Sequence, residues 1–383
     1  MSIDYRFKIL YAIGIIFVVI GHCGGGGINI LSDWFPPYAF HLQLFAFAFA
    51  SGYFYKSSSE EYIGKYILKK IKTLLVPLYC WNFFYGLVVI VLSFKGFTIG
   101  FDSNTEMFSK LLILPITTGH QFMYNLGGWF VIPLFMVQIY NVLARKIFSL
   151  NNKKINEGVW YIFNLLLGMI GVYLASKDFR FGWWLVLVRM LFILPFFSLG
   201  IYYKRKLEKY DKLGSITYFI LIFMSLLVVL YIYGRIPTYS ACWCHDFVDG
   251  PIMPYIIGSI GIAFWLRVSR ILEPIIGKNK YINLISDNAF SIMINQLMAF
   301  MIVKTIFAFI SKFTNLCYNF DWSSYKTDVW YLYLPKNIEQ MKIIYIFAGI
   351  VIPILIQICI TKLPYMLLNK KIILKNLKNV NAP

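Results

Sequence analysis

Long runs of apolar residues, parted by short polar stretches that carry most of the lysines and arginines, set the pattern of this chain. Ten runs come close to the roughly 17–25 residues that a helix needs to cross about 30 Å of hydrocarbon, at about 1.5 Å per residue. They predict spans at 9–27, 37–55, 73–94, 127–144, 158–175, 183–203, 215–233, 254–269, 286–310 and 342–362. Hydrocarbon offers the backbone no hydrogen-bond partner, so each run must close its own bonds as a helix. The ten-residue alternation that a membrane barrel requires is missing. The predicted fold is all-α, a polytopic transmembrane helical bundle of about ten spans.

The polar stretches orient it. With the N-terminus inside, 25 of the 36 lysines and arginines fall in inner segments and nine in outer ones, while Arg189 and Lys304 lie within spans. That imbalance predicts both termini in the cytoplasm. The first run lacks a small-x-small cleavage site and many spans follow it, so it reads as a signal anchor. Gly24 to Gly27 and then Pro36-Pro37 join it to the second span, a flexible link followed by a stiff helix start.

Composition agrees with the pattern. Of 383 residues 59% are hydrophobic and 14% charged, with a mean hydropathy of +0.67, against about 45–50% and about 25% in soluble domains. A net charge of +19 suggests nucleic-acid binding at first sight. The basic residues sit at every second turn, however, and line no groove, so no nucleic-acid partner is expected. The expected organisation is one transmembrane domain over 1–383 without an appended soluble domain, in contact with membrane lipids. A homo-oligomer is compatible with it. Cys23, Cys80 and Cys359 sit in apolar runs as small hydrophobes. Cys242, Cys244 and Cys317 fall in two outer loops, where a loop-to-loop disulfide is open.

Chemistry narrows to few side chains. His22, His41, His120 and His245 all fall on the outer side of this topology. His22 lies about 20 Å above Lys8 on the first helix, and His41 about one turn into the second, so the two imidazoles share a level. Histidine suits removing a proton from a hydroxyl near neutral pH, and an ionisable group inside a membrane is a functional candidate by default. A packing role between helices competes with that reading; a metal site finds no ligand spacing. Arg189 would either hold anionic or carbonyl oxygens or reach up to the outer interface. Lys304 can reach that interface too. Asn82, Gln138, Asn288, Asn295 and Gln296 would bridge helices. Two long outer segments, 95–126 and 311–341, are aromatic and polar, including Trp322, Trp330, Tyr331 and Tyr333, which suits either sugar stacking or an interfacial belt.

Five segments, in order, resemble the acyltransferase-3 family of membrane O-acyltransferases, in particular its fucose-4-O-acetylase-like branch. They are Ala12-Ile-Gly-Ile-Ile-Phe-Val-Val-Ile-Gly-His22, Phe40-His41-Leu-Gln-Leu-Phe-Ala-Phe-Ala-Phe-Ala-Ser51-Gly52-Tyr53, Lys69-Lys-Ile-Lys-Thr-Leu-Leu-Val-Pro77, Gly128-Trp129-Phe130-Val-Ile-Pro-Leu-Phe135 and Leu194-Pro195-Phe196-Phe-Ser-Leu-Gly200. The resemblance implies ten helices, acetyl-coenzyme A as donor substrate with no bound cofactor, and a hydroxyl of a cell-surface or lipid-linked glycan as acceptor. It implies His22 and His41 as the catalytic pair, and Arg6, Lys8, Trp129, Arg189 and Asn295 as substrate- or donor-binding residues. Three positions depart from the family pattern. Tyr11 stands where a basic residue is usual, Asn295 where histidine is common, and Gln138 where some members carry an acid.

The expected activity is therefore O-acetyl transfer in the plasma (inner) membrane of a bacterium, as a multi-pass enzyme of the cell envelope. The alternative is a glycolipid or polysaccharide transporter or flippase, which ten spans with basic inner loops would also suit. Transporters often carry repeats and paired broken helices, and neither is found here.

Overall fold

Most of the apolar runs become helices, and no strand forms among the described residues. The computed structural model describes residues 3–23, 43–100, 106–150, 155–237 and 239–380. Within them nine helices are long and apolar enough to cross a membrane. In chain order the elements are α1 (Tyr5–His22), α2 (Gln43–Tyr53), α3 (Ile63–Ser93), α4 (Leu126–Ser149), α5 (Glu157–Ser176) and α6 (Trp183–Tyr210). There follow α7 (Ser215–Tyr233), α8 (Met253–Ile276), the short α9 (Lys280–Asp287), α10 (Ala289–Phe313), the short α11 (Trp322–Thr327) and α12 (Lys342–Val380). Helix α2 is the described part of the predicted span 37–55, whose start, with His41, lies outside the described residues.

Helix ends depart from the hydropathy boundaries where polar groups find partners. Helix α1 starts four residues early because Asp4 caps it, accepting from the Arg6 N–H at 3.2 Å. The charged residues that follow are neutralised across the bundle: Arg6 pairs with Asp4 at 2.6 Å and Glu208 at 2.9 Å, and Lys8 pairs with Asp287. Helix α3 starts ten residues early and passes through a π-helical turn at Ile71–Leu75, just before Pro77. Proline has no N–H to offer the preceding turn, and a widened turn accommodates the gap.

Helix α6 is the axis of the bundle, with fourteen buried residues between Leu185 and Ile201. It meets α2 backbone to backbone. A Cβ at Gly52 would lie 1.9 Å from the Phe197 carbonyl oxygen, and one at Gly200 would lie 2.0 Å from that of Phe49. Only glycine permits such an approach, as at small-residue contacts between membrane helices. Ser51-Gly52 and Pro195-to-Gly200, two of the segments singled out above, are therefore each other's packing partners.

At one end of the bundle, hereafter the Lys8 end, helix termini are tied by ion pairs. Arg145 reaches Glu60 at 3.0 Å and Glu157 at 2.6 Å, and Arg267 pairs with Asp211. Helix α12 runs antiparallel to α10: Ser291 Oγ donates to the Pro353 carbonyl at 2.8 Å, while further along α10 the Phe300 ring meets that of Tyr345, earlier in α12, at 5.9 Å. Helices α1 and α12 therefore begin and end, respectively, towards the same end.

The two long outer segments differ from the loops expected. Residues 106–113 form a helical turn against α3, and residues 114–125 then sink into the bundle, leaving Gln121, Phe122, Tyr124 and Asn125 buried. They can do so because Asn82 of α3 serves the backbone of that turn, its Nδ2 donating to the carbonyls of Lys110 at 3.2 Å and Leu111 at 2.8 Å. The segment after α10 packs on itself, with Phe320 at the centre of Trp322, Tyr325, Tyr331 and Tyr333. The disulfide left open between Cys317 of this segment and Cys242 or Cys244 of the loop between α7 and α8 does not form. All six cysteines are free, because each outer thiol meets something else: Cys242 faces His120, Cys244 the Ala241 carbonyl and Cys317 the Tyr333 hydroxyl.

Candidate active site

Helix α1 stops at His22, where the Cys23 N–H turns back to the Ile20 carbonyl at 3.0 Å. The imidazole is half-buried and its Nδ1 has no hydrogen-bond partner among the described residues. Gln296 of α10 stands beside the ring, yet its Oε1 is also without a partner. The two lie within hydrogen-bonding reach, although neither atom has a partner at normal hydrogen-bond geometry among the described residues. On another side lies Trp330, its ring centroid 5.6 Å from that of His22. A buried nitrogen with an open lone pair or N–H, next to an open amide oxygen, can take a proton and have the resulting imidazolium steadied.

A second imidazole close by is arranged in the opposite way. His120 Nδ1 lies 2.6 Å from the Thr118 carbonyl, which can only accept, so that nitrogen carries the hydrogen. Nε2 lies 3.1 Å from Cys242 Sγ and the ring stacks on Trp243 at 4.4 Å. Burial, and then the charges of Arg189 and His22, lower the His120 pKa to about 4. Burial likewise raises the Cys242 thiol to about 12. The pair is thus a neutral thiol donating to a neutral imidazole, with both ring nitrogens used.

Arg189 holds this arrangement together. It is 1% exposed, and donates from Nε to the Cys242 carbonyl at 2.6 Å and from one terminal nitrogen to Thr117 and Thr118 at 3.3 and 3.0 Å. Its guanidinium sits 4.8 Å over Trp129. The reach towards the outer interface that the sequence allowed is not taken, since backbone carbonyls of two inward-folded loops satisfy it in the interior. No carboxylate pairs with it among the described residues, so its charge still favours anionic or oxyanionic groups nearby.

Polar groups continue from Gln296 across the bundle. Tyr85 Oη donates to Asn295 Oδ1 at 2.6 Å, and Asn295 Nδ2 donates to the Ser291 carbonyl at 3.0 Å. Asn82 Oδ1 accepts from Gln121 and, at 3.3 Å, from Asn125. Because both amides turn their NH2 to Asn82, their oxygens face away, and they and Tyr124 Oη lack partners. Buried polar atoms left without partners around Asn82, as at Gln296 Oε1 beside His22, call for water or a hydroxyl-bearing ligand to satisfy them.

The structure thus brings His22, Trp129, Arg189 and Asn295 to one end, together with His120, Gln296 and Trp330. Arg6 and Lys8 lie at the other end, Lys8 about 20 Å from His22 along α1. Arg6 is taken up by Asp4, Glu208 and Tyr53, and Lys8 by Asp287. Lys304 is wholly buried, against the expectation that it could reach the surface, and donates to the Val329 carbonyl at 3.1 Å. Sequence reasoning missed the pairing of His120 with Cys242 and of Lys304 with Val329. Residues 122 and 25 positions apart carry no local signal of contact.

No curated protein and no solved structure matches the chain. The acyltransferase-domain profile of one family does, over residues 4–362, and so takes in every helix from α1 to the apolar part of α12. With His22 ending the first helix and the five ordered segments lying inside that match, this multi-pass membrane protein belongs to the acyltransferase-3 family.

Proposed function

We propose that the protein is an O-acetyltransferase that moves an acetyl group from acetyl-coenzyme A to a hydroxyl of a cell-surface or lipid-linked glycan, in the inner membrane of a bacterium. The observation that carries this reading is the open Nδ1 of His22, beside an equally open Gln296 Oε1, when the neighbouring His120 has no nitrogen to spare. In the reaction, His22 takes the proton of the glycan hydroxyl as that oxygen attacks the thioester carbonyl. The C–O bond forms, the C–S bond breaks, and the proton passes from His22 to the leaving thiolate. Gln296 Oε1 accepts from the imidazolium while it exists, and the unpaired charge of Arg189 favours the developing oxyanion. His41, from the segment beside His22 in sequence, acts as orienting partner.

The Lys8 end is taken as cytoplasmic, in line with the charge imbalance, and it receives the donor through the basic stretch 65–72, with Arg6 and Lys8 joining by exchanging their carboxylate partners for the donor's phosphates. Trp129 and Asn295 support the reacting end, one beneath Arg189 and the other beside Gln296. Either the pantetheine arm or the acetyl group then has to cross the interior between the two ends. The test is transfer of labelled acetyl from acetyl-coenzyme A to glycan by membranes carrying wild type or His22→Ala. Loss in a variant that still reaches the membrane supports the reading, and undiminished transfer refutes it.

A further inference from the structure

We propose that Trp330 is the platform on which the acceptor sugar stacks, and that Lys304 is the positioning residue that holds it beside His22. This rests on the function proposed above and deepens it. Most rings of the 311–341 segment are consumed by packing on Phe320, with centroids 5.1–5.9 Å away. Trp330 stands apart. Its one ring partner among the described residues is His22, at 5.6 Å and a 47° tilt, and it is 43% exposed, so a face of the indole is open next to the proposed base.

The backbone that presents it is held from three directions. The Trp330 N–H donates to Asp328 Oδ1 at 2.8 Å, the Val329 side chain is buried, and the Val329 carbonyl accepts from Lys304 Nζ at 3.1 Å. That bond is the one hydrogen bond Lys304 makes among the described residues, although its side chain is 0% exposed. An ammonium buried in a membrane helix is expensive, and its retention calls for a task. Lys304 lies eight residues beyond Gln296 on α10, about 12 Å along the same helix. One rigid element therefore positions both the amide beside the base and the strap that carries the platform. A saturated sugar ring offers a C–H face to the indole and hydroxyls at its rim. Stacked on Trp330, it would present a rim hydroxyl to His22.

The test uses the full-length protein in membrane vesicles, labelled acetyl-coenzyme A, and envelope polysaccharide prepared from cells that lack the gene. Trp330→Ala should raise the acceptor KM roughly tenfold with little change in kcat or in the donor KM, and Trp330→Phe should recover most of the loss. Lys304→Met should reproduce the acceptor effect and Lys304→Arg relieve it. An acceptor KM within twofold of wild type in Trp330→Ala overturns the proposal. So does a rise in the donor KM instead, which would mean that the indole holds the donor's purine, and so does a fall in kcat alone, which would mean a structural role. Absence of transfer by wild type, or survival of transfer in His22→Ala, removes the parent reading and this one with it. Loss in His22→Ala with an unmoved acceptor KM in Trp330→Ala removes the platform alone.

Discussion

His22 and His120 are the same side chain in contact with one another's fields, and their surroundings assign them opposite work. The first keeps a nitrogen open, whereas the second spends both on a carbonyl and a thiol. His22→Gln should therefore lower acetyl transfer by about 10²–10⁴-fold, while His120→Asn, which can still serve the Thr118 carbonyl, should leave it within about tenfold. Rates measured in membranes of equal protein content decide between them. The half-buried imidazole of His120 also has a consequence for stability. Its pKa is lowered from 6.5 to about 4 on folding, so between those values the unfolded chain binds a proton that the folded one refuses. Stability should fall as pH drops from about 6.5 towards 4, by up to about 3 kcal/mol, and be flat above that range. Thermal unfolding in detergent at several pH values should show the fall in wild type and a smaller one in His120→Asn.

At the scale of elements, the contact between α2 and α6 sets the tolerance of the fold. The Phe49 and Phe197 carbonyls that crowd Gly200 and Gly52 belong to helix backbone and cannot swing aside as a side chain would. Gly200→Ala or Gly52→Ala should each destabilise by at least the roughly 1–3 kcal/mol of an overpacked core. Gly64→Ala, where a Cβ meets nothing within 4 Å, should be neutral or slightly stabilising. Fluorescence-detected size exclusion after graded heating would compare the three. Hydropathy located these helices well. It was off at the start of α1 and in the 106–125 segment, for one reason: a polar group that will find an ion pair or a carbonyl in the bundle looks, in sequence, like the end of a helix or a loop. Asp4, Arg6 and Asn82 are the particular cases.

The whole molecule is polarised, with the most buried ion pairs binding the helix ends at one side and, inside the other, neutral or singly charged polar groups beneath an aromatic segment. Arg145, 2% exposed, joins the ends of α4, α5 and the segment after α2 through Glu157 and Glu60. Arg145→Met leaves the buried Glu157 with Arg205 alone for compensation and Glu60 without its cation, and should cost about 3 kcal/mol, read as a lowered unfolding midpoint in detergent. The charge imbalance also predicts which end faces out. In an otherwise cysteine-free chain, Ser323→Cys, beside the exposed Trp322, should react with an impermeant maleimide on intact cells, and Ser58→Cys, at the Arg145 end, only after lysis. The reverse labelling would invert the topology.

What the sequence determined by itself was whatever adds up along the chain. Hydropathy summed over a window marks most of the spans, the count of lysines and arginines in successive loops sets an expected orientation, and ordered segments such as Gly128 to Phe135 mark the family. These quantities need no knowledge of which helix lies beside which. The tertiary structure alone decided that Arg189 is held by two inward-folded loops, that His120 is silenced by Cys242 and Trp243, that His22 is left with an open nitrogen, and that Lys304 pins the strap bearing Trp330. Each depends on groups brought together from different helices and loops, and a hydrogen bond depends on distance and angle, which are fixed only when the helices pack.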